Sequence, residues 1–243
     1  MSKYFFKPSA RDGDIVRFTG STAHHMLHVL RLRVGQEVIL CDGNGIDYHS
    51  TLESIMVKPD TADFKIHSHS PSMTEPAIPI TLFQGLPKGD KLDWIIEKTI
   101  EMGITKIIPV CTARTVVKVK DAAKKAERFA RISESAASQS MRGIIPEVTP
   151  PISFNEAVAN HDSTSTCLIA YEKENHRTIN TLESGVIPKS ISLWVGPEGG
   201  FEDYEVQTLK DKGGRTISLG PRILRTETAG LVALAQILCI YGL

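Results

Sequence analysis

Cysteine is scarce in this sequence, and its four copies are scattered. Cys41, Cys111, Cys167 and Cys239 lie within apolar runs and form no C-x-x-C pair. A disulfide framework or a zinc knuckle needs cysteines at close, regular spacing, so the sequence argues against both. We expect four reduced thiols in a protein of the cytoplasm.

Long hydrophobic runs are also missing. No stretch approaches the roughly 18 consecutive apolar residues that a membrane-spanning helix needs. The first seven residues, MSKYFFK, lack the apolar core of a secretory signal. We expect neither secretion nor membrane insertion.

An excess of one charge is absent, because 28 lysines and arginines balance 28 aspartates and glutamates. The net charge therefore gives no sign of the basic surface that nucleic-acid-binding proteins usually carry. Bases do cluster locally, between Lys3 and Arg33 and again between Arg114 and Arg131. Each cluster could be a solvated helix or strand face, but together they could concentrate positive charge on one side.

The first seventy residues favour a small β-rich module. A helix from about Ser21 to Leu30 interrupts its short strands. Residues 42–45, DGNG, resemble a nucleotide-binding loop, but asparagine stands where a D-x-G-x-G pattern needs glycine, so a hairpin turn is the better interpretation. The predicted strands are 14–18, 37–41, 48–55 and 63–66.

Three prolines within residues 70–79 predict a stiff connector. We place the domain boundary there, with domains at 1–72 and 78–243. Beyond it, β-type and helical runs alternate, which predicts a largely parallel sheet covered by helices on both faces, with ligands binding beyond the carboxyl ends of its strands. The predicted strands are 80–83, 106–110, 166–171, 191–195 and 216–219, and the predicted helices are 90–102, 121–140 and 226–241.

Two loops follow strands near the carboxyl end and therefore lie where a ligand is expected. The loop 196–201, GPEGGF, is not a G-x-G-x-x-G fingerprint and lacks the lysine of a P-loop, which counts against dinucleotides and nucleoside triphosphates. Its glycines allow a tight backbone turn close to a ligand, or they only turn the strand into the next helix. In the loop 218–229, SLGPRILRTETA, Thr226 is a plausible helix cap, whereas Arg222 and Arg225 could hold a carboxylate or phosphate.

These two loops resemble those of the ribosomal RNA small subunit methyltransferase E family, the 16S rRNA uridine-N3 methyltransferases of the SPOUT superfamily. Residues 24–31, HHMLHVLR, are similar to a helix in the family's PUA-like RNA-binding barrel, and residues 98–104, KTIEMGI, resemble a further segment. The resemblance covers nearly the whole chain. Met102 replaces the family's usual leucine, a change that conserves volume.

The resemblance implies an α/β fold with a C-terminal SPOUT trefoil-knot domain, a largely parallel sheet and a small N-terminal PUA-like β-barrel. It implies a cytoplasmic homodimer that acts in rRNA processing on the small ribosomal subunit. It also implies that S-adenosyl-L-methionine contacts Leu168, Ala170, Glu172, Gly196, Glu198, Gly199, Gly200, Leu219, Gly220, Ile223, Leu224 and Arg225. The candidate RNA-binding residues are Arg17, His25, Arg31, Arg33, Arg114, Lys118 and Arg142.

The chemistry requires loss of a proton from uridine N3 or stabilisation of the negative charge that forms on the base. Arg225 is the candidate for electrostatic stabilisation. Glu198 or Glu227 could be the base, but bracing roles are as reasonable, so no base is assigned. His24 and His28 have metal-ligand spacing but no third ligand in the sequence, and we therefore predict no metal.

Two other functions stay open at this stage. A SPOUT enzyme could methylate a different target, such as a ribose 2′-oxygen of transfer RNA. The chain could also be a non-catalytic RNA-binding assembly factor, in which the two loops serve the fold alone.

Overall fold

The structure of the protein is a computed structural model that describes residues 3–117, 121–179 and 187–241. The chain divides into two compact units. The first comprises residues 1–75 with 137–145, and the second comprises residues 76–136 with 146–243. No helix of the described residues is long and apolar enough to cross a membrane.

The first unit is built on a six-stranded sheet with the order β1-β4-β5-β6-β3-β2, in which only the outer pair β1 and β4 is parallel. Its core includes Met26, Leu40, Leu52 and Phe64, all fully buried. The strands are β1 Lys3–Phe5, β2 Arg11–Asp12, β3 Ile15–Thr19, β4 Glu37–Cys41, β5 Ile46–Val57 and β6 Asp60–Pro71. All four strands predicted for this region are present.

The predicted helix 21–30 is present in two parts. An α-helix, α1, covers Gly20–His24, and a π-helical turn follows at His25–Val29. The segment DGNG is a turn between β4 and β5, as predicted, and the Asp42 carboxylate accepts a hydrogen bond from the amide of Asn44 at 2.8 Å.

Residues 137–145 complete the first unit although they come much later in the chain. The Cys41 thiol donates to the carbonyl of Gly143 at 3.1 Å. Arg142 is only 2% exposed and forms an ion pair with Glu75, whose carboxylate also accepts from the Gly143 amide at 2.8 Å. The prediction that Arg142 binds RNA therefore needs correction, because its guanidinium is buried against a carboxylate.

The second unit is an α/β structure whose strands all pair in parallel, in the order β10-β8-β7-β12-β11-β13, with β9 beside β8. The strands are β7 Ile80–Gly85, β8 Lys106–Cys111, β9 Glu147–Val148, β10 Ile152–Ser153, β11 Thr166–Ala170, β12 Ile191–Val195 and β13 Arg215–Ile217. The helices are α2 Lys91–Glu101, α3 Ala122–Gln139, α4 Phe154–Ala159, α5 Asp203–Asp211 and α6 Thr226–Tyr241.

Strand β12 lies at the centre of this sheet, between β7 and β11, and all five of its residues are buried. Trp194 stacks on Phe83 of β7 with ring centroids 4.1 Å apart and an interplanar angle of 2°. Because β12 is buried on all sides, it fixes the position at which the loop 196–201 begins.

Candidate active site

A cavity of about 480 Å³ lies beyond the carboxyl ends of β11, β12 and β13. Three loops form its walls: residues 170–175, residues 195–200 and residues 218–226, with Lys91 and Ala229 from neighbouring helices. The position agrees with the rule that open parallel sheets bind ligands at this edge. Every predicted cofactor-binding residue lines the cavity except Leu168, which is fully buried within β11.

Glycines make the loop 196–201 possible. A Cβ on Gly196 would lie 2.9 Å from the Gly200 carbonyl carbon, and a Cβ on Gly85 at the end of β7 would lie 2.4 Å from the Pro197 nitrogen. Gly200 has φ of +71°, and a Cβ there would meet the Glu172 carboxylate at 2.9 Å. At Gly85 and Gly196 only a residue without a side chain allows the backbone to pack this closely, and at Gly200 the positive φ favours glycine.

Thr226 joins the two loops. Its hydroxyl donates to the carbonyl of Gly196 at 2.6 Å and accepts from the side-chain amide of Gln84 at 2.8 Å. In the first turn of α6, the amides of Thr228 and Ala229 donate instead to the carbonyl of Arg225. Thr226 was predicted as a helix cap, but its side chain holds the loop after β12.

We expect Thr226→Val to destabilise the protein by about 1–3 kcal/mol, because it keeps the shape but leaves a buried carbonyl and a buried amide without their partner. Urea unfolding at neutral pH measures the change. Thr228→Val, two residues further along the same helix, is the matched control and should change stability by less than about 0.5 kcal/mol. Equal effects of the two substitutions would contradict the assigned link.

Charged groups brace the cavity wall. The Glu198 carboxylate accepts from Nζ of Lys91 at 2.9 Å and from the amide of Lys88 at 3.1 Å. Burial acts to raise the pKa of Glu198, but these hydrogen bonds outweigh it and hold the pKa below its ordinary value. A carboxylate held ionised and paired in this way serves as a brace, and Glu227 lies 3.7 Å from the same ammonium.

Arg114 supports the same loop from outside the cavity. Its guanidinium donates to the carbonyl of Gly199 and, at 2.9 Å, to the carboxylate of Glu202. These contacts raise the pKa of Arg114, first through the hydrogen bond with Glu202. Arg114 was predicted to bind RNA, which stays a prediction, and the structure adds a bracing contact to the loop.

Glu174 fixes the loop after β11. Its carboxylate accepts from the Thr216 hydroxyl at 2.7 Å and from the amides of His176 and Arg177 at 3.1 Å. The hydrogen bond from Thr216 and those from the amides lower its pKa from 4.5 to about 2.

A lowered pKa means that the Glu174 carboxylate stabilises the fold above its unfolded pKa of about 4.5, and that this contribution is lost as the pH falls towards about 2. We therefore expect wild type to have a higher melting temperature than Glu174→Gln at neutral pH. The difference between the two melting temperatures should become smaller as the pH falls below 4.5. Melting curves from pH 3 to pH 7 check this. A difference independent of pH would contradict it.

The remaining RNA-binding candidates lie on the first unit. His25, Arg31 and Arg33 are exposed at and just after the π-helical turn, and Arg17 on β3 is exposed and paired with Asp63 at 2.7 Å. Lys118 lies outside the described residues. All four cysteines are free thiols, as expected.

Lys91 and Asn175 also line the cavity, and sequence reasoning did not single them out. Lys91 and Glu198 are 107 positions apart in the sequence, and no local sequence pattern predicts a contact between them. Arg222, Ile223 and Arg225 also line the cavity and are exposed to solvent.

Two family models match this chain. A model of the RNA methyltransferase domain matches residues 74–238, and a model of the RNA methyltransferase PUA domain matches residues 18–66. The first match alone covers more than half of the chain. The fold and the cavity are therefore those of the RNA methyltransferase class.

Curated relatives identify the family within this class. Ribosomal RNA small subunit methyltransferase E of Bacillus subtilis (strain 168) is 37% identical over 247 residues, covering 98% of this chain and 96% of the relative. The protein of the same name from Synechocystis sp. is 35% identical and covers 91% of this chain and 72% of the relative. The chain belongs to the ribosomal RNA small subunit methyltransferase E family, which confirms the resemblance of its loops.

A solved structure of a relative has a similar fold. The ribosomal RNA small subunit methyltransferase E of Neisseria gonorrhoeae, bound to S-adenosyl methionine, is similar with a TM-score of 0.88 and 30% identity, covering 99% of this chain and 98% of that one. The predicted fold class, a SPOUT α/β domain with a PUA-like domain, is confirmed. The threading of the knot stays a prediction.

Proposed function

We propose that this protein transfers the methyl group of S-adenosylmethionine to N3 of a uridine in 16S rRNA of the small ribosomal subunit. The observation that carries the proposal is the cavity between the loops 196–201 and 218–226, which brings residues predicted from the sequence together at the ligand-binding edge of the sheet. The relatives named as small subunit methyltransferases support the substrate class.

The cavity fits the cofactor in size and in chemistry. About 480 Å³ lies within the range of pockets for ligands of this size. The glycines at 196, 199 and 200 leave backbone groups accessible to the edges of an adenine, and Ile223 and Leu224 offer apolar surface. The carboxylate of Glu172 faces the position of a Cβ on Gly200, so the wall is polar on one side.

When bound, S-adenosylmethionine supplies an electrophilic methyl group on a positively charged sulfur. The protein's own task is then to hold the uridine N3 in line with that group, which by itself accounts for a large part of the rate. Arg225 stabilises the negative charge that spreads to the base oxygens when N3 loses its proton. Glu198 is paired with Lys91, which favours a bracing role, and we assign no general base.

The RNA contact is assigned to the N-terminal domain, residues 1–72, and the chemistry to residues 78–243. Arg17, His25, Arg31 and Arg33 are exposed there and supply phosphate contacts. Arg114 and Lys118 are the candidates in the second domain. Arg142 is excluded because of its burial.

We further propose that the enzyme works as a homodimer in the cytoplasm. Light scattering on the purified protein tests the first part, and a mass near twice the 26.7 kDa of the chain is expected. A monomer that still transfers methyl groups would contradict the dimer requirement.

The decisive experiment is methyl transfer in vitro. Purified protein is incubated with labelled S-adenosylmethionine and small subunits from a strain that lacks the modification, and the RNA is digested to nucleosides. We expect label in N3-methyluridine. Label in 2′-O-methylated ribose, or transfer to transfer RNA, would favour another SPOUT methylase, and absence of transfer by a folded dimer that binds small subunits would favour a non-catalytic assembly factor.

A further inference from the structure

A group of three metal-ligand side chains lies on the first unit. His24 and His28 stand one helical turn apart with ring centroids 4.5 Å from each other. Asp60, the first residue of β6, places one carboxylate oxygen 2.8 Å from Nδ1 of His24 and the other 3.3 Å from Nε2 of His28. The three ligand atoms all lie within 4.8 Å of one another. Asp60 adds a third side chain with metal-ligand chemistry, which the sequence did not reveal.

The backbone holds this arrangement in place. Strand β3 pairs with β6 through Thr19 and Thr61, and α1 begins at Gly20, directly after β3. Asp60 therefore comes from the strand against which the helix is anchored. The carboxylate is 15% exposed, whereas the side chains of His24 and His28 are 63% and 42% exposed, so the group is open to solvent on the imidazole side.

We propose that His24, His28 and Asp60 bind one divalent transition-metal ion of the Zn²⁺, Ni²⁺ and Co²⁺ group. Two imidazoles and one carboxylate are a donor set that these ions prefer, whereas Mg²⁺ and Ca²⁺ prefer oxygen alone. A zinc ion holds its nitrogen and oxygen ligands at about 2.0–2.2 Å, which places neighbouring donors roughly 3–3.5 Å apart. The two imidazole nitrogens lie 2.8 Å and 3.3 Å from different oxygens of the same carboxylate, and one ligand atom from each residue lies within 4.8 Å of the other two, so small side-chain rotations would bring the three atoms to that spacing.

Three protein ligands leave at least one coordination position for water or another oxygen donor. The site would fasten the helical segment 20–29 to the hairpin of β5 and β6, beside the exposed residues His25, Arg31 and Arg33. This proposal does not depend on the methyl-transfer proposal, because all of its residues lie in the first unit. It replaces the expectation from the sequence that this histidine pair binds no metal.

The test is a titration of full-length, tag-free, metal-free protein with ZnCl₂ and NiCl₂ in a calorimeter, repeated with CoCl₂ under visible absorption. We expect one equivalent to bind, with a cobalt absorption band that reports nitrogen and oxygen ligands. His28→Ala and Asp60→Asn should each weaken binding at least about tenfold. His67→Ala, which removes another exposed histidine bonded to Thr51, is the matched control and should leave the affinity unchanged.

Melting curves provide a second measurement. Zinc should raise the melting temperature of wild type and of His67→Ala, and it should have little effect on Asp60→Asn, because only binding to the folded state shifts the equilibrium. Circular dichroism confirms that each variant is folded. Absence of binding by wild type, or equal affinity of wild type, His28→Ala and Asp60→Asn, would overturn the proposal and leave a hydrogen-bonded carboxylate between two imidazoles.

Discussion

Replacement of Arg225 by alanine is expected to lower the rate of methyl transfer by about two to three orders of magnitude, the usual effect of removing one group that stabilises developing charge. Arg225 lies exposed at the rim of the cavity, and its backbone carbonyl starts α6. The substitution keeps that carbonyl, so the fold and the melting temperature should change little. Single-turnover transfer to small subunits at saturating S-adenosylmethionine measures the rate.

Two further variants separate charge from position. Arg225→Lys keeps a cation but not the planar guanidinium, and it should recover part of the rate. Arg215→Ala removes an exposed arginine on β13 outside the cavity and should have no effect. If Arg225→Ala turns over as wild type does, Arg225 has no part in the mechanism. If only the affinity for the cofactor falls, Arg225 holds the cofactor and does not act on the uridine.

Gly85→Ala is expected to weaken cofactor binding about tenfold to hundredfold, although Gly85 does not itself line the cavity. Its Cβ would lie 2.4 Å from the Pro197 nitrogen and 2.8 Å from the Gly196 carbonyl carbon, so the loop after β12 must move. Such overpacking costs roughly 1–3 kcal/mol, which corresponds to about a tenfold to hundredfold loss of affinity if it falls on the binding-competent loop. Calorimetric titration with S-adenosylmethionine measures this.

Gly230→Ala is the matched control, because it makes the same chemical change in the same region. A Cβ on Gly230 would make ordinary contacts of 3.7 Å with Gln84 and 3.9 Å with Leu82, inside α6. Alanine in a helix interior is worth roughly 0.5–1 kcal/mol over glycine, so this variant should be as stable as wild type or more stable, with unchanged affinity. Loss of affinity in both variants alike would contradict the role given to the Gly85–Pro197 contact.

Long, strongly patterned segments were predictable from the sequence. Strand β12 and helix α6 have the predicted bounds, because four of the five residues of the strand are apolar and the helix follows a clear stop at Gly220 and Pro221. The π-helical turn was not predictable, since its residues have the pattern of an ordinary amphipathic helix. The short strands β9 and β10 and helix α4 were missed, although Ser153 and Glu156 form a capping box that could have marked the helix start.

At the site, glycines and strand ends were informative, whereas long-range partners were not. The two loops were recognisable because their residues follow strands and resemble a known family. Arg142 was misinterpreted as a surface base, since only the fold brings it to Glu75. The same limit applies to Asp60, which is 32 positions from His28 in the sequence although the fold brings the two side chains into contact.

The hydroxyl of Thr226 has a consequence for how the protein matures. It joins the first turn of α6 to the carbonyl of Gly196, thirty positions earlier in the chain. The two loops that form the cavity therefore reach their final conformation only after α6 has packed against the sheet. A nascent chain that has emerged from the ribosome only as far as Gly200 therefore has half a binding surface. The cofactor can therefore bind and stabilise only chains that have finished folding. The concentration of cofactor in the cell would then affect the stability of the completed protein, and not the early steps of its folding.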